Sequence, residues 1–447
     1  MHAYSDLHRM RCVAVAVSET PPPPRNGLPE TVAAWAAVAA VACVPFALGG
    51  GPGWGWGTAA GVLGGALVAE GAVALLAPRP SAGRVTSVQV ACAVALAVVV
   101  LTLLQAVPGL PGAHPVWTDL GDALGRTPPG TWSMTPGAAL SNAVLVAAAA
   151  ASLWLGSRAR GTVREQGPVL IAAAAALAAL YGLLVLRAGS EQVLWLAKPA
   201  YRDVATGPFI SRNAFAAFLG VGLMALAAAV WPACRRGGAP GWWAAAIGLT
   251  ILAGLGASAS RGGIAATVLA LTVVAAHWAW HDGRPRVRLA TGASLLGLVL
   301  AGAAVLAPRL AAVPEALERR AAIHRMALEA VGQRPWLGHG AGASEAVFRQ
   351  LRPDDLAFVV TRAHSVCLDA ALAWGVPAAV ALLVAGAALA VTCARAGRGG
   401  DPAGVAGLGC CVLLGAHGLI DSAPLVPGVA LPALWLIGAG AAPQPPR

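Results

Sequence analysis

Long apolar runs separated by short polar turns recur along this chain almost from end to end. A window of about 19 residues picks out twelve of them as candidate membrane spans. They cover approximately 31–51, 54–77, 86–108, 137–156, 168–187, 209–230, 242–259, 262–281, 288–307, 365–392, 403–421 and 424–442. A helix of about 20 residues rises roughly 30 Å, the thickness of a bilayer's hydrocarbon core. Ala, Gly, Leu and Val dominate the runs, and small residues let helix backbones approach closely in lipid. One polar stretch interrupts the rhythm, about 308–363. Within it, Pro314 followed by Glu315 and Glu318 predicts a helix opened by proline with acids in its first turn, ended by Gly332 and Pro335. The glycines of Gly338-His339-Gly340-Ala341-Gly342 predict a tight turn after it.

The pattern predicts an all-α, polytopic helical membrane protein of about twelve transmembrane helices with one long extracytoplasmic loop. Residues 1–30 read as a disordered cytoplasmic tail, without the short apolar core of a cleavable signal peptide. Residues 31–307 carry helices one to nine, 308–363 form the loop with its short helices, and 364–442 carry helices ten to twelve. Composition agrees. Charged residues make up 11% of the chain and hydrophobic ones 58%, whereas a soluble domain carries roughly a quarter charged residues. Too little polar surface exists to enclose this much apolar chain, so lipid is the solvent.

The net charge of +11 does not signal nucleic-acid binding, because the arginines sit in short interhelical loops and form no single stripe. Lys198 is the only lysine. With a cytoplasmic N-terminus, the inner loops hold Arg79 and Arg84; Arg158, Arg160 and Arg164; Arg235 and Arg236; Arg284, Arg286 and Arg288; and Arg395 and Arg398. The outer loops are longer and mixed in sign, as the positive-inside rule requires for an even number of spans with both termini cytoplasmic. The expected location is therefore the cytoplasmic (inner) membrane.

That orientation gathers the unusual residues on one side. Arg212 opens the sixth span and Arg261 lies at the turn between spans seven and eight. Arg319, Arg320 and Arg325 lie in the long loop, His364 and Ser365 open span ten, and His417 and Asp421 close span eleven. Each has a bland alternative. Arginines at span ends snorkel to headgroups, and His417 and Asp421 are spaced to satisfy each other on one helix face. Their convergence favours a site, since ionisable groups at the edge of a membrane mark substrate paths. Guanidinium forks match phosphate oxygens, and a histidine at the mouth of a helix can accept a proton. There is no Walker-type loop, HExxH, DxD-like pair, GxSxG elbow or Cys/His metal spacing. No metal and no cofactor are expected.

These residues resemble the O-antigen ligase and polymerase family of bacterial polysaccharide assembly. The resemblance runs from about residue 200 to the C-terminus. It rests on Ser211-Arg212-Asn213-Ala214-Phe215-Ala216, on Ser258-Ala259-Ser260-Arg261-Gly262-Gly263, and on the segment from Arg320 to Gly342 with its Pro-x-x-Gly-x-Gly turn. Ala363-His364-Ser365 with Gly375-Val376-Pro377, and the late His417-x-x-x-Asp421, complete it. Two features depart from the family pattern: Ser365 stands where Asn is usual, and Ala373 and Trp374 stand near the place of an acidic residue. The resemblance implies glycan transfer from a polyprenyl-diphosphate (undecaprenyl-diphosphate) carrier to a lipid or glycan acceptor hydroxyl, such as a lipopolysaccharide core. It further implies Arg212, Arg261 and Arg320 on the diphosphate, His364 as general base, and His417, Asp421 and Ser365 in support. The other reading is a secondary transporter or flippase of lipid-linked oligosaccharide. Glu70 would then be its clearest acid within a span.

Overall fold

The computed structural model describes residues 28–51, 53–76, 85–126, 128–236, 241–282, 313–352 and 359–442, with isolated positions between 289 and 297. Helices account for most of it. In chain order they are α1 (Leu28–Cys43), α2 (Gly53–Leu76), α3 (Ser87–Leu104), α4 (Val116–Leu124), α5 (Ala139–Arg158), α6 (Gly161–Arg187), α7 (Arg212–Arg235), α8 (Trp242–Ser258) and α9 (Arg261–Asp282). Then follow α10 (Val313–Gln333), α11 (Ser344–Leu351), α12 (Val366–Trp374), α13 (Val376–Arg398), α14 (Pro402–Ile420) and α15 (Pro427–Ala441). The strands among the described residues are a two-residue hairpin, Gln192–Val193 against Leu196–Ala197.

Among the described residues, eight helices are long and apolar enough to cross a membrane, and three shorter apolar helices accompany them. Eleven of the twelve expected spans coincide with described helical segments; the ninth, 288–307, lies outside the described residues but for those isolated positions, as does nearly all of the expected tail 1–30. Helices α7 and α14, with the short α15, form the centre of the bundle. The most apolar stretch of α7 is 83% buried and that of α14 is 61%, against 17–39% for the other six long helices. Those six turn much of their apolar surface outward, as a lipid-facing ring does. Helix α15 packs on α5 and α14, and α7 and α9 pack on α14.

The tenth expected span, 365–392, is not one helix. Gly375 (φ 85°, ψ 165°) divides it into the nine-residue α12 and the 23-residue α13. That backbone region is open only to glycine. Pro377 has no N–H to give to the Ala373 carbonyl, one helical turn back. The carbonyls freed by the break are met by the turn that follows α10. Leu372 O accepts from His339 N at 2.7 Å, and Ala373 O accepts from Gly340 N at 3.2 Å. Gln105 Nε2, just past α3, also donates to Ala373 O at 2.8 Å. In return, Val376 N donates to Pro335 O at 2.7 Å. The Gly-x-Pro of one motif and the Pro-x-x-Gly-x-Gly of the other thus satisfy each other's backbone. Helix α12 runs from the end of α14, where Val366 packs against Gly418, to the end of α3.

Helices α10 and α11 share a small core of their own. Ile323, Met326, Ala327 and Ala330 pack with Val347, Phe348, Ala363 and Leu372, separately from the main bundle core. The predicted helix of the long polar stretch is α10, which continues to Gln333.

Candidate functional site at the ends of the central helices

Helix α14 ends at Ile420, and Asp421 follows in extended conformation (φ −156°, ψ 155°). This carboxylate, 6% exposed, is a meeting point of four segments. Its Oδ2 accepts from Asn213 Nδ2 at 2.8 Å and from Arg320 at 3.3 Å, and it faces His364 Nδ1 at 3.7 Å. Its Oδ1 accepts from Ala423 N at 2.9 Å.

Each partner arrives on a helix end. Ser211 caps α7 by accepting from the backbone N–H groups of Asn213 and Ala214, which fixes the first turn carrying Arg212 and Asn213. Asn213 Oδ1 in turn accepts from Ser260 Oγ at 2.8 Å, tying α7 to the start of α9. Arg320 projects from α10 and also donates to the Ile420 carbonyl, one of the orphan acceptors at the α14 terminus. His364 precedes α12 with a left-handed backbone (φ 54°), uncommon for a residue with a Cβ. Its side chain is half-exposed, leaving the ring accessible from outside.

The structure therefore brings His364, Asp421 and Arg320 into one cluster. Arg212 adjoins Asn213, and its guanidinium lies 5.0 Å from the centre of the Tyr201 ring. Arg261 adjoins Ser260. Both arginines are thus chain neighbours of the Asn213–Ser260 pair, of which Asn213 holds Asp421. His417 is fully buried one turn below, under Gly262 of α9. Neither of its ring nitrogens has a hydrogen-bond partner among the described residues, so it does not pair side chain to side chain with Asp421 as the spacing allowed. Ser365 is buried as the first residue before α12, and its carbonyl accepts from Asp369 N at 2.8 Å.

Three residues of the cluster are not among the sequence candidates. Asn213 and Ser260 stand inside the quoted motifs but do not ionise, so charge reasoning passed over them. Asp369 is the buried carboxylate of α12. The family pattern has an acid near the place of Ala373 and Trp374, about one turn further along.

A second polar cluster supports the first from the far end of α12. His339 Nε2 donates to Ala330 O at 2.8 Å, so its Nδ1 accepts from His114 Nε2 at 2.9 Å. His114 Nδ1 accepts from Val116 N at 3.2 Å. Burial, with the neighbouring His339 and Arg334 charges, lowers His114 to about 4, and burial likewise lowers His339. Both rings are neutral at pH 7 and fully hydrogen-bonded, which is what a structural joint needs.

A helical bundle with lipid-facing apolar spans and an Arg–Asp–His cluster at one end defines a multi-pass membrane protein with a polar site at its surface. Residues 246–383, from α8 into α13, match the model of the O-Antigen ligase family. This agrees with the resemblance carried by the motifs. The match takes in Arg261, Arg320, His364 and Asp369. No curated protein matches the chain.

Proposed function

We propose that the chain transfers or polymerises glycan from a polyprenyl-diphosphate-linked donor onto an acceptor hydroxyl at the extracytoplasmic face of the inner membrane. The observation that carries this reading is the Asp421 carboxylate shared by His364, Arg320 and Asn213. With Nδ1–H turned toward Asp421, His364 keeps its Nε2 lone pair for the acceptor. The acceptor oxygen bonds to the anomeric carbon as the carbon–oxygen bond to the diphosphate breaks. The electron pair leaves with the diphosphate, and the acceptor proton moves to Nε2. Asp421 then stabilises the imidazolium, as the acid of a hydrolase triad does. Arg212, Arg261 and Arg320 compensate the charge growing on the leaving group, a role a divalent cation fills elsewhere. Attack opposite the diphosphate inverts the anomeric centre. The partners are the lipid-linked donor, a lipid or glycan acceptor, and the surrounding membrane lipid.

Transport by a secondary transporter or flippase is less well supported. Its clearest acid, Glu70, is held by Arg158 and by Trp154 Nε1 at 3.1 Å, a pairing that leaves its carboxylate engaged within the bundle. The deciding experiment uses purified protein with a synthetic polyprenyl-diphosphate-linked oligosaccharide and acceptor, without any ion gradient. Wild type gives product, and His364→Ala gives at least about a hundredfold less while still inserting in membranes. Undiminished transfer by that variant excludes the imidazole from the chemistry.

A further inference from the structure

Asp369 is 6% exposed and, among the described residues, has no ion pair. Its two oxygens reach two separate parts of the chain. Oδ1 accepts from the backbone N–H of Ala363 at 2.8 Å, immediately before His364. Oδ2 accepts from the Ser422 hydroxyl, immediately after Asp421. The arrangement is reciprocal. The carboxylate of α12 grips the segment that follows α14, and the carboxylate after α14 faces the imidazole that precedes α12. A charge this deep is costly unless its lone pairs are met. Here the two hydrogen bonds and its place in the first turn of α12 meet them. The grip also explains the left-handed backbone of His364. A strained residue persists only where its surroundings over-determine it, and the Ala363 N–H anchored on Asp369 does so from one side, while Ser365 opening α12 does so from the other.

We infer that Asp369 is a positioning residue: through one carboxylate it fixes the segments bearing His364 and Asp421 at the separation the base requires. The inference rests on the proposed role of His364. Asp369 touches no reacting atom; it acts through the two segments it holds. Loss of the brace lets the imidazole drift from Asp421, and a displacement of about 1 Å in a reacting group costs on the order of a hundredfold in rate. Donor binding depends on the arginines and stays as it is. Asparagine at 369 keeps an oxygen for the Ala363 N–H, and its amide can donate to a Ser422 hydroxyl turned to accept.

The test compares wild type with Asp369→Ala, Asp369→Asn, Ser422→Ala and His364→Ala. Each chain is produced in host membranes that supply the acceptors, and polyprenyl diphosphate release from a synthetic polyprenyl-diphosphate-linked oligosaccharide is followed. Asp369→Ala is expected to lose roughly ten- to a hundredfold in kcat with KM for the donor unchanged. Asp369→Asn should stay within about threefold of wild type, and Ser422→Ala should fall between them at unaltered thermal stability. A wild-type kcat in Asp369→Ala or in Ser422→Ala, with His364→Ala inactive, overturns the positioning role and leaves the base intact. Equal losses of kcat and thermal stability in Asp369→Ala and Asp369→Asn also overturn it, making the residue merely structural. An active His364→Ala removes the underlying reading itself.

Discussion

Asp421 accepts from an amide and a guanidinium while facing an imidazole, so its charge and its shape can be separated by substitution. Asp421→Asn keeps the shape but removes the charge that would stabilise the imidazolium. The expected result is a loss of about a hundredfold in kcat with donor KM little changed. A lysine at 320 has no planar fork and cannot serve the Ile420 carbonyl and Asp421 together while leaving donors for phosphate. Arg320→Lys should therefore raise donor KM by roughly threefold to tenfold, read from initial rates against donor concentration. His364, Arg320 and Asp421 were legible in the sequence as candidates, because a charge at a membrane edge is costly and therefore conspicuous, but the carboxylate of Asp369 was not. Nor were Asn213 and Ser260. Their importance comes from whom they touch across α7, α9 and α14, and an uncharged amide or hydroxyl carries no such signal of its own.

The paired break and turn around Gly375 govern how α12 is held. Any Cβ at 375 would collide with the Trp336 carbonyl and would have to adopt a backbone region closed to it. Gly375→Ala should lower stability by about 2 kcal/mol or more, seen as a lower unfolding temperature in detergent and faster proteolysis within 105–135. The His114–His339 joint gives the same region a pH dependence. The folded His114 pKa, about 4, lies below the unfolded value of 6.5. Its neutral form is the one folding favours, so stability is whole above pH 6.5 and drains away as pH falls from 6.5 toward 4. The full loss is on the order of 3 kcal/mol. Proteolysis of the joint should accelerate across that window, and His114→Gln should flatten the response. The sequence located the turn through its glycines and the helix through its proline and acids. It joined α12 and α13 into one span, because periodicity measures apolar length and is blind to a break satisfied by partners far along the chain.

The molecule places α7 and α14, the most enclosed of its long helices, under the polar site and surrounds them with long helices whose apolar faces point outward. Close backbone approach makes this possible. On α5 and α15, a Cβ at Gly156 would strike the Trp435 carbonyl, and one at Gly438 the Leu153 carbonyl. Arginine placement sets the expected sidedness, and it is testable. In a chain whose native cysteines are replaced, Thr361→Cys should react with an impermeant maleimide on spheroplasts, while Arg398→Cys at the other end of α13 should react only after lysis. Labelling in the opposite sense would put His364 with the cytoplasm and sink the proposed donor chemistry. The sequence by itself determined that the chain is helical, that it lies in lipid, and which titratable groups stand at helix ends. These follow from local quantities: run length, hydropathy and the cost of a charge in hydrocarbon. Only the tertiary structure decided that Asp421 is the shared partner, that Asp369 braces it, and that His417 is enclosed without a hydrogen-bond partner. Those outcomes depend on which helix ends converge, and convergence is set by packing between segments separated by as much as 208 residues.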